Sequence, residues 1–161
     1  MKWGEMEKQG QKRFFVKSYR YLWQLENAIR TIRRRATSEL QMSVLGKLSP
    51  TCKLGDKRLL EAKNEWNAFW KRTTGLPPNF SSFCNPDMGT LFVIGAVATQ
   101  FLHHTGGKAL GEIASGPFGI LRGLGVGEGM VSTCLKDLDK RCYLFILRGY
   151  EHELDTLEKW I

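Results

Sequence analysis

The chain has 161 residues, of which 42% are apolar and 25% charged, with five Trp and nine Phe. That length suits one domain with a real core, and the composition excludes intrinsic disorder. The formal charge of +8 is unevenly placed: residues 1–85 carry 17 Lys and Arg against 7 Asp and Glu, whereas residues 86–161 carry 7 against 9. A basic first half points to polyanions or acidic headgroups, which such a surface attracts through long-range, salt-sensitive forces.

In chain order, Gln11 to about Leu45 holds no proline or glycine and places Phe15, Leu22, Leu25, Ile29, Ile32 and Ala36 at helical spacing. This predicts a long basic helix of about 30 residues, about 45 Å at the α-helical rise, with a break near Thr37-Ser38 as one way to shorten it. Gly46, Ser49-Pro50 and Gly55 read as a loop. Asp56 opens a second helix to about Arg72, buried through Leu59, Ala62, Trp66 and Phe69 or Trp70, and Gly75 with Pro77-Pro78 ends it. Asn85-Pro86-Asp87 reads as a helix start, followed by a buried helix from Leu91 to His104 that Gly106-Gly107 closes. A short helix over Lys108 to Ser115 would then be interrupted at Gly116-Pro117.

Eleven of the 17 glycines lie between Gly89 and Gly129. Residues Pro117 to Gly129 therefore read as a loop or broken turns, since each glycine costs a helix about 1 kcal/mol relative to alanine. Against this, small residues four apart would let another helix approach closely. From Met130 the spacing predicts a helix to about Arg148, with Cys142 to Leu147 as a buried strand in the competing reading. Glu151 to Ile161 closes the chain as a helical segment whose Leu154, Leu157 and Ile161 share a side. Its acidic residues are placed to meet the basic first half of the same or another molecule.

The four cysteines show no CxxC metal spacing, and Met1 to Lys17 lacks the apolar core of a signal peptide. Reduced thiols in an intracellular protein with no targeting segment are expected. The nearly uncharged run Met88 to Lys108 has about the ~20 residues of a bilayer span, but His103, His104 and Gln100 favour a buried helix.

For function, the densest charge is Arg30, Arg33, Arg34 and Arg35, with Arg13, Lys17 and Arg20 upstream and Lys57 and Arg58 on the second helix. Guanidinium forks suit phosphate oxygens, and Tyr19, Tyr21 and Trp23 interleave with them as platforms for unpaired bases. The competing reading is a solvated face with its aromatics in the core, as Trp66 and Trp70 are expected to be. No catalytic motif is present: GxSxG is absent, and Thr105-Gly106-Gly107-Lys108 fails the phosphate-loop pattern because Leu102 and Ala109 stand at required positions. The adjacent His103 and His104 point in different directions on a helix, which argues against one shared metal.

Ile120-Leu121-Arg122-Gly123 followed by Cys142-Tyr143-Leu144-Phe145 resembles the closing segment of small subunits of TRAPP-type vesicle-tethering complexes. There a leucine-arginine-glycine helix leads to a cysteine-containing final strand. Gly125, Gly127 and Gly129 depart from that pattern, and the basic first helix has no counterpart. The resemblance implies a scaffold subunit.

The expected fold is mainly α: a single-domain bundle over 1–161 of five to seven helical segments. A basic half at 1–76 and a Gly-rich, slightly acidic half at 86–161 make it up, with an α+β fold ending in a short strand as the alternative. The expected function is non-enzymatic and cofactor-free, with no metal or small-molecule substrate. The basic helices would bind nucleic acid or another polyanion, while the second half packs against copies of itself or other subunits. The alternative is a membrane-associated adaptor or scaffold.

Overall fold

A computed structural model describes residues 10–105 and 107–161. The elements run β1 (Lys12–Tyr19), α1 (Leu22–Arg35), β2 (Gln41–Ser49), α2 (Asp56–Thr74), β3 (Phe80–Asn85), β4 (Gly89–Gly95), α3 (Ala98–Leu102), the two-residue strands β5 (His104–Thr105) and β6 (Lys108–Ala109), α4 (Gly116–Gly123), α5 (Glu128–Asp139), β7 (Tyr143–Tyr150) and α6 (Glu151–Leu157). Expectations that touch Gly106 and the first nine residues lie outside the described part.

Five strands pair antiparallel in the order β1-β7-β2-β4-β3. The fold is therefore α/β and not a helical bundle. The reason lies in two-sided burial. Successive strand residues point to opposite faces. In β7 Leu144 and Ile146 enter one core while Phe145 and Leu147 enter the other, and in β4 Leu91 and Val93 oppose Phe92 and Ile94 in the same way. The first core packs under α3, α4 and α5, the second under α1, α2 and α6. A strand covered on both faces reads as an unbroken apolar run, which a short window cannot distinguish from a buried helix.

Three helix predictions fail on this account. The long N-terminal helix is really β1, α1 and β2, and only Leu22–Arg35 is helical. The helix predicted from Leu91 to His104 is the central strand β4 followed by the five-residue α3. The helix predicted from Met130 ends at Asp139, and Cys142 leads into β7, so the strand reading of that run is the one realised. Asn85-Pro86-Asp87 does not start a helix either. Its buried amide oxygen accepts from the Asp87 and Met88 amides at 3.0 and 3.2 Å and turns the chain from β3 into β4. Its amide nitrogen donates to the Gly111 and Ile113 carbonyls at 2.9 and 3.1 Å, fastening the segment before α4 against the hairpin.

Other expectations hold. The helix α2 ends at Gly75, whose left-handed φ of 69° closes the last turn. Trp70 is buried, and Trp66 packs against Phe92 and Tyr143. The expectation of a loop or broken turns over Pro117 to Gly129 is corrected: Gly119 and Gly123 lie within α4, Gly129 in the first turn of α5, and only 124–127 is non-helical between them. A Cβ at Gly119, Gly123, Gly127 or Gly129 would meet no atom within 4 Å, so these glycines do not serve close packing within the chain. At Gly46 and Gly95 packing does require glycine. The Phe92 ring occupies the space of a Gly46 side chain, and at Gly95, where φ is 107°, a Cβ would run into the Met42 carbonyl and stand 2.8 Å from Ser43 Cα.

Cys52 and Cys84 form a disulfide with their Cα atoms 5.3 Å apart, joining the loop after β2 to the edge strand β3. The expectation of four reduced thiols is corrected for this pair, and Cys134 and Cys142 are free. The two halves of the sequence are interleaved, because β1 and β2 both pair with β7, and β2 also with β4. Among the described residues no helix is long and apolar enough to cross a membrane.

Candidate nucleic-acid interface

Helix α1 buries Leu25, Ala28, Ile29 and Ile32 against the sheet, at the i, i+3, i+4, i+7 spacing of a single stripe. That choice fixes what faces out. Trp23, Asn27, Arg30 and Arg34 follow one another at intervals of four, three and four residues, so they share the opposite side and span about 16 Å along the axis. Trp23 is 62% exposed and its ring lies parallel to Tyr21, centroids 6.5 Å apart, with the Arg20 guanidinium 5.6 Å from the Tyr21 centroid. Arg30 pairs with Glu26 one turn earlier at 2.8 Å, an exposed bond worth little in water. Arg34 is exposed and makes no hydrogen bond or ion pair with a described residue. Between Asn27, Arg30, Thr31, Arg33 and Arg34 lies an open basin of about 740 Å³. All five residues belong to one helix, so the basin is a surface for an extended ligand and not an enclosed site.

The nine sequence-predicted cations do not form one surface. Arg13 lies in β1 and is held by Asp155 at 2.6 Å and Glu158 at 2.8 Å. Burial opposes its charge, but these two carboxylates outweigh burial and raise its pKa. Lys17 donates to the main-chain oxygen of Ile161 at 2.6 Å. Arg33 turns back to the Thr73 carbonyl at 3.0 Å, tying α1 to the end of α2. Arg35 stacks 3.6 Å above the Trp160 ring. Lys57 and Arg58 are exposed at the start of α2, about 24 Å along that helix from the turn Arg33 touches. Arg20, Arg30 and Arg34 remain as the group beside the exposed aromatics. Tyr19, expected among the base platforms, is buried instead, and burial pushes its phenol up to about 12. Asn27 was missed by sequence reasoning, although its place between Trp23 and Arg30 on one helical side was the available signal.

Burial first, and then the nearby Asp137, pushes the Cys134 and Cys142 thiols up, which keeps them protonated and poorly nucleophilic at neutral pH. Among the described residues no group of three or more His, Cys, Asp or Glu is close enough to hold a metal ion. Leu121-Arg122-Gly123 ends α4 and Cys142 precedes the last strand, with α5 between them. No family model, curated protein or solved structure matches the chain.

Proposed function

We propose that this protein binds single-stranded nucleic acid across the outer side of α1, with Arg30 and Arg34 on phosphates, Trp23 stacked on a base and Asn27 between them. The observation that carries the reading is the exposure of Trp23 on the same helical side as Arg34, which pairs with no described residue, and Arg30, which is held only by its neighbour Glu26. A tryptophan facing water beside arginines is a costly surface without a partner, whereas base stacking is worth about 1–3 kcal/mol per base. The arginines in the last turn also complement the partial negative charge at the helix C-terminus, so their positive field costs the helix nothing.

The test is salt-dependent binding of a short single-stranded oligonucleotide. Replacing both Arg30 and Arg34 by alanine is expected to make the slope of log K against log salt shallower by about 1.4, two phosphates' worth for a single strand. Trp23→Ala is expected to weaken binding with the slope unchanged, and a Lys57→Ala/Arg58→Ala pair to alter neither. Unchanged affinity and slope in the Arg30/Arg34 variant would defeat the reading. Binding of the wild type to phosphatidylserine vesicles but not to oligonucleotide would replace it with a membrane-surface role.

A further inference from the structure

The sheet face beneath α3, α4 and α5 is not covered along its whole length. At one end Phe14, Arg148 and Gln41 stand side by side on β1, β7 and β2, because Arg148 lies opposite Phe14 on one side and Gln41 on the other. They floor a cleft of about 540 Å³, walled by Val97, Leu110, Ile120 and Leu124. Its size is within the range of about 300–1,000 Å³ common to small-molecule sites. Its lining is mostly apolar, and Arg148 is its one permanently charged member.

Arg148 is half-buried there without a counter-ion. Its guanidinium lies 5.7 Å from the Phe14 ring centre, and its hydrogen bond to Gln41 Oε1 is long at 3.5 Å. Among the described residues no carboxylate pairs with it. A cation drawn partly out of water calls for an anion, and a carboxylate matches the two parallel donors of the guanidinium fork. Helix α4 presents Gly123 to this cleft, where a Cβ would meet no protein atom within 4 Å. The opening is thus bounded on that side by a missing side chain that packing did not require.

We propose that the cleft binds a small amphipathic carboxylate, its apolar body against Phe14, Val97, Leu110, Ile120 and Leu124 and its head group on Arg148. The site lies on the opposite sheet face from α1 and is independent of nucleic-acid binding.

Phenylbutyrate and the neutral phenylbutanol, titrated calorimetrically into the full chain, provide the test. The acid is expected to bind at least about tenfold tighter than the alcohol, as a charge-assisted pair requires. Arg148→Gln is expected to bring the acid down to the affinity of the alcohol, and Arg148→Lys to give an intermediate value. Gly123→Leu should abolish binding of both while leaving the thermal midpoint unchanged or raised. The idea is overturned if acid and alcohol bind wild type equally, if neither binds at millimolar concentration, or if Gly123→Leu leaves binding intact. The comparison of acid with alcohol on wild type needs no variant to fold. Unchanged oligonucleotide affinity in Arg148→Gln separates a failure here from a failure at α1.

Discussion

Glu153 is a buried carboxylate that fastens α6 to the connection between α1 and β2. It accepts from the Thr37 amide and hydroxyl at 2.9 and 3.2 Å and from the Ser38 amide and hydroxyl at 3.3 and 2.5 Å. Burial alone would raise its pKa, but the donors of Ser38 and Thr37 together outweigh burial and lower it. Because the folded value lies below the unfolded one, the stability this group contributes is fully present above the ordinary glutamate range near pH 4.3 and is lost as pH falls through the folded value. Denaturant melts on the acid side of that range are expected to lose stability less steeply for Glu153→Gln than for wild type. Glu153→Ala strands the Thr37 and Ser38 donors and is expected to cost about 2–3 kcal/mol at neutral pH. Only part of this was readable in the sequence. The acidic C-terminal segment was expected to meet the basic half, which Arg13 with Asp155 and Glu158 realises, but the neutral Thr37-Ser38 pair carries no charge signal that would mark it as the partner of Glu153.

Among the elements, the hairpin β3–β4 and the helix α1 show how local signals succeed and fail. Asn85 satisfies two amides of its own turn and two carbonyls before α4, so Asn85→Ala is expected to destabilise by about 2–4 kcal/mol and to loosen both segments together. Hydrogen exchange at the Met88 amide and across α4, rising in step, would check that coupling. Asx-Pro-Asx is a sound capping pattern, but the same side-chain oxygen can cap a hairpin turn, and the sequence around Asn85 does not choose. The arginine group was legible as charge density. Which arginines reach solvent depended on how α1 rolls against the sheet, and that was set by Leu25, Ala28, Ile29 and Ile32. Arg33 and Arg35, equal to Arg34 by sequence, are drawn to Thr73 and Trp160 because the last turn of α1 is flanked by α2 and the chain end.

Over the whole molecule, antiparallel pairing brings residues far apart in sequence into one sheet, and the Cys52–Cys84 bridge closes a separation of 32 residues across its edge. A cross-link over a loop of that length is expected to stabilise by about 2–4 kcal/mol, so chemical unfolding with and without reductant should differ by that amount. The same two cysteines looked unrelated in sequence, since their pairing is a matter of strand order and not of spacing. By itself the sequence determined where charge concentrates, that α2 runs from Asp56 and stops at Gly75, and that the last segment is an acidic helix. Those features rest on local chemistry: capping, left-handed glycine and side-chain charge. Tertiary structure alone decided that the apolar runs at Val44, Leu91–Ile94 and Leu144–Leu147 are strands, since a strand buried on both faces and a buried helix present the same composition over so short a window. It also decided which cations remain for a ligand, and it placed Phe14, Arg148 and Gln41 in one cleft, because cross-strand neighbours exist only once register is set.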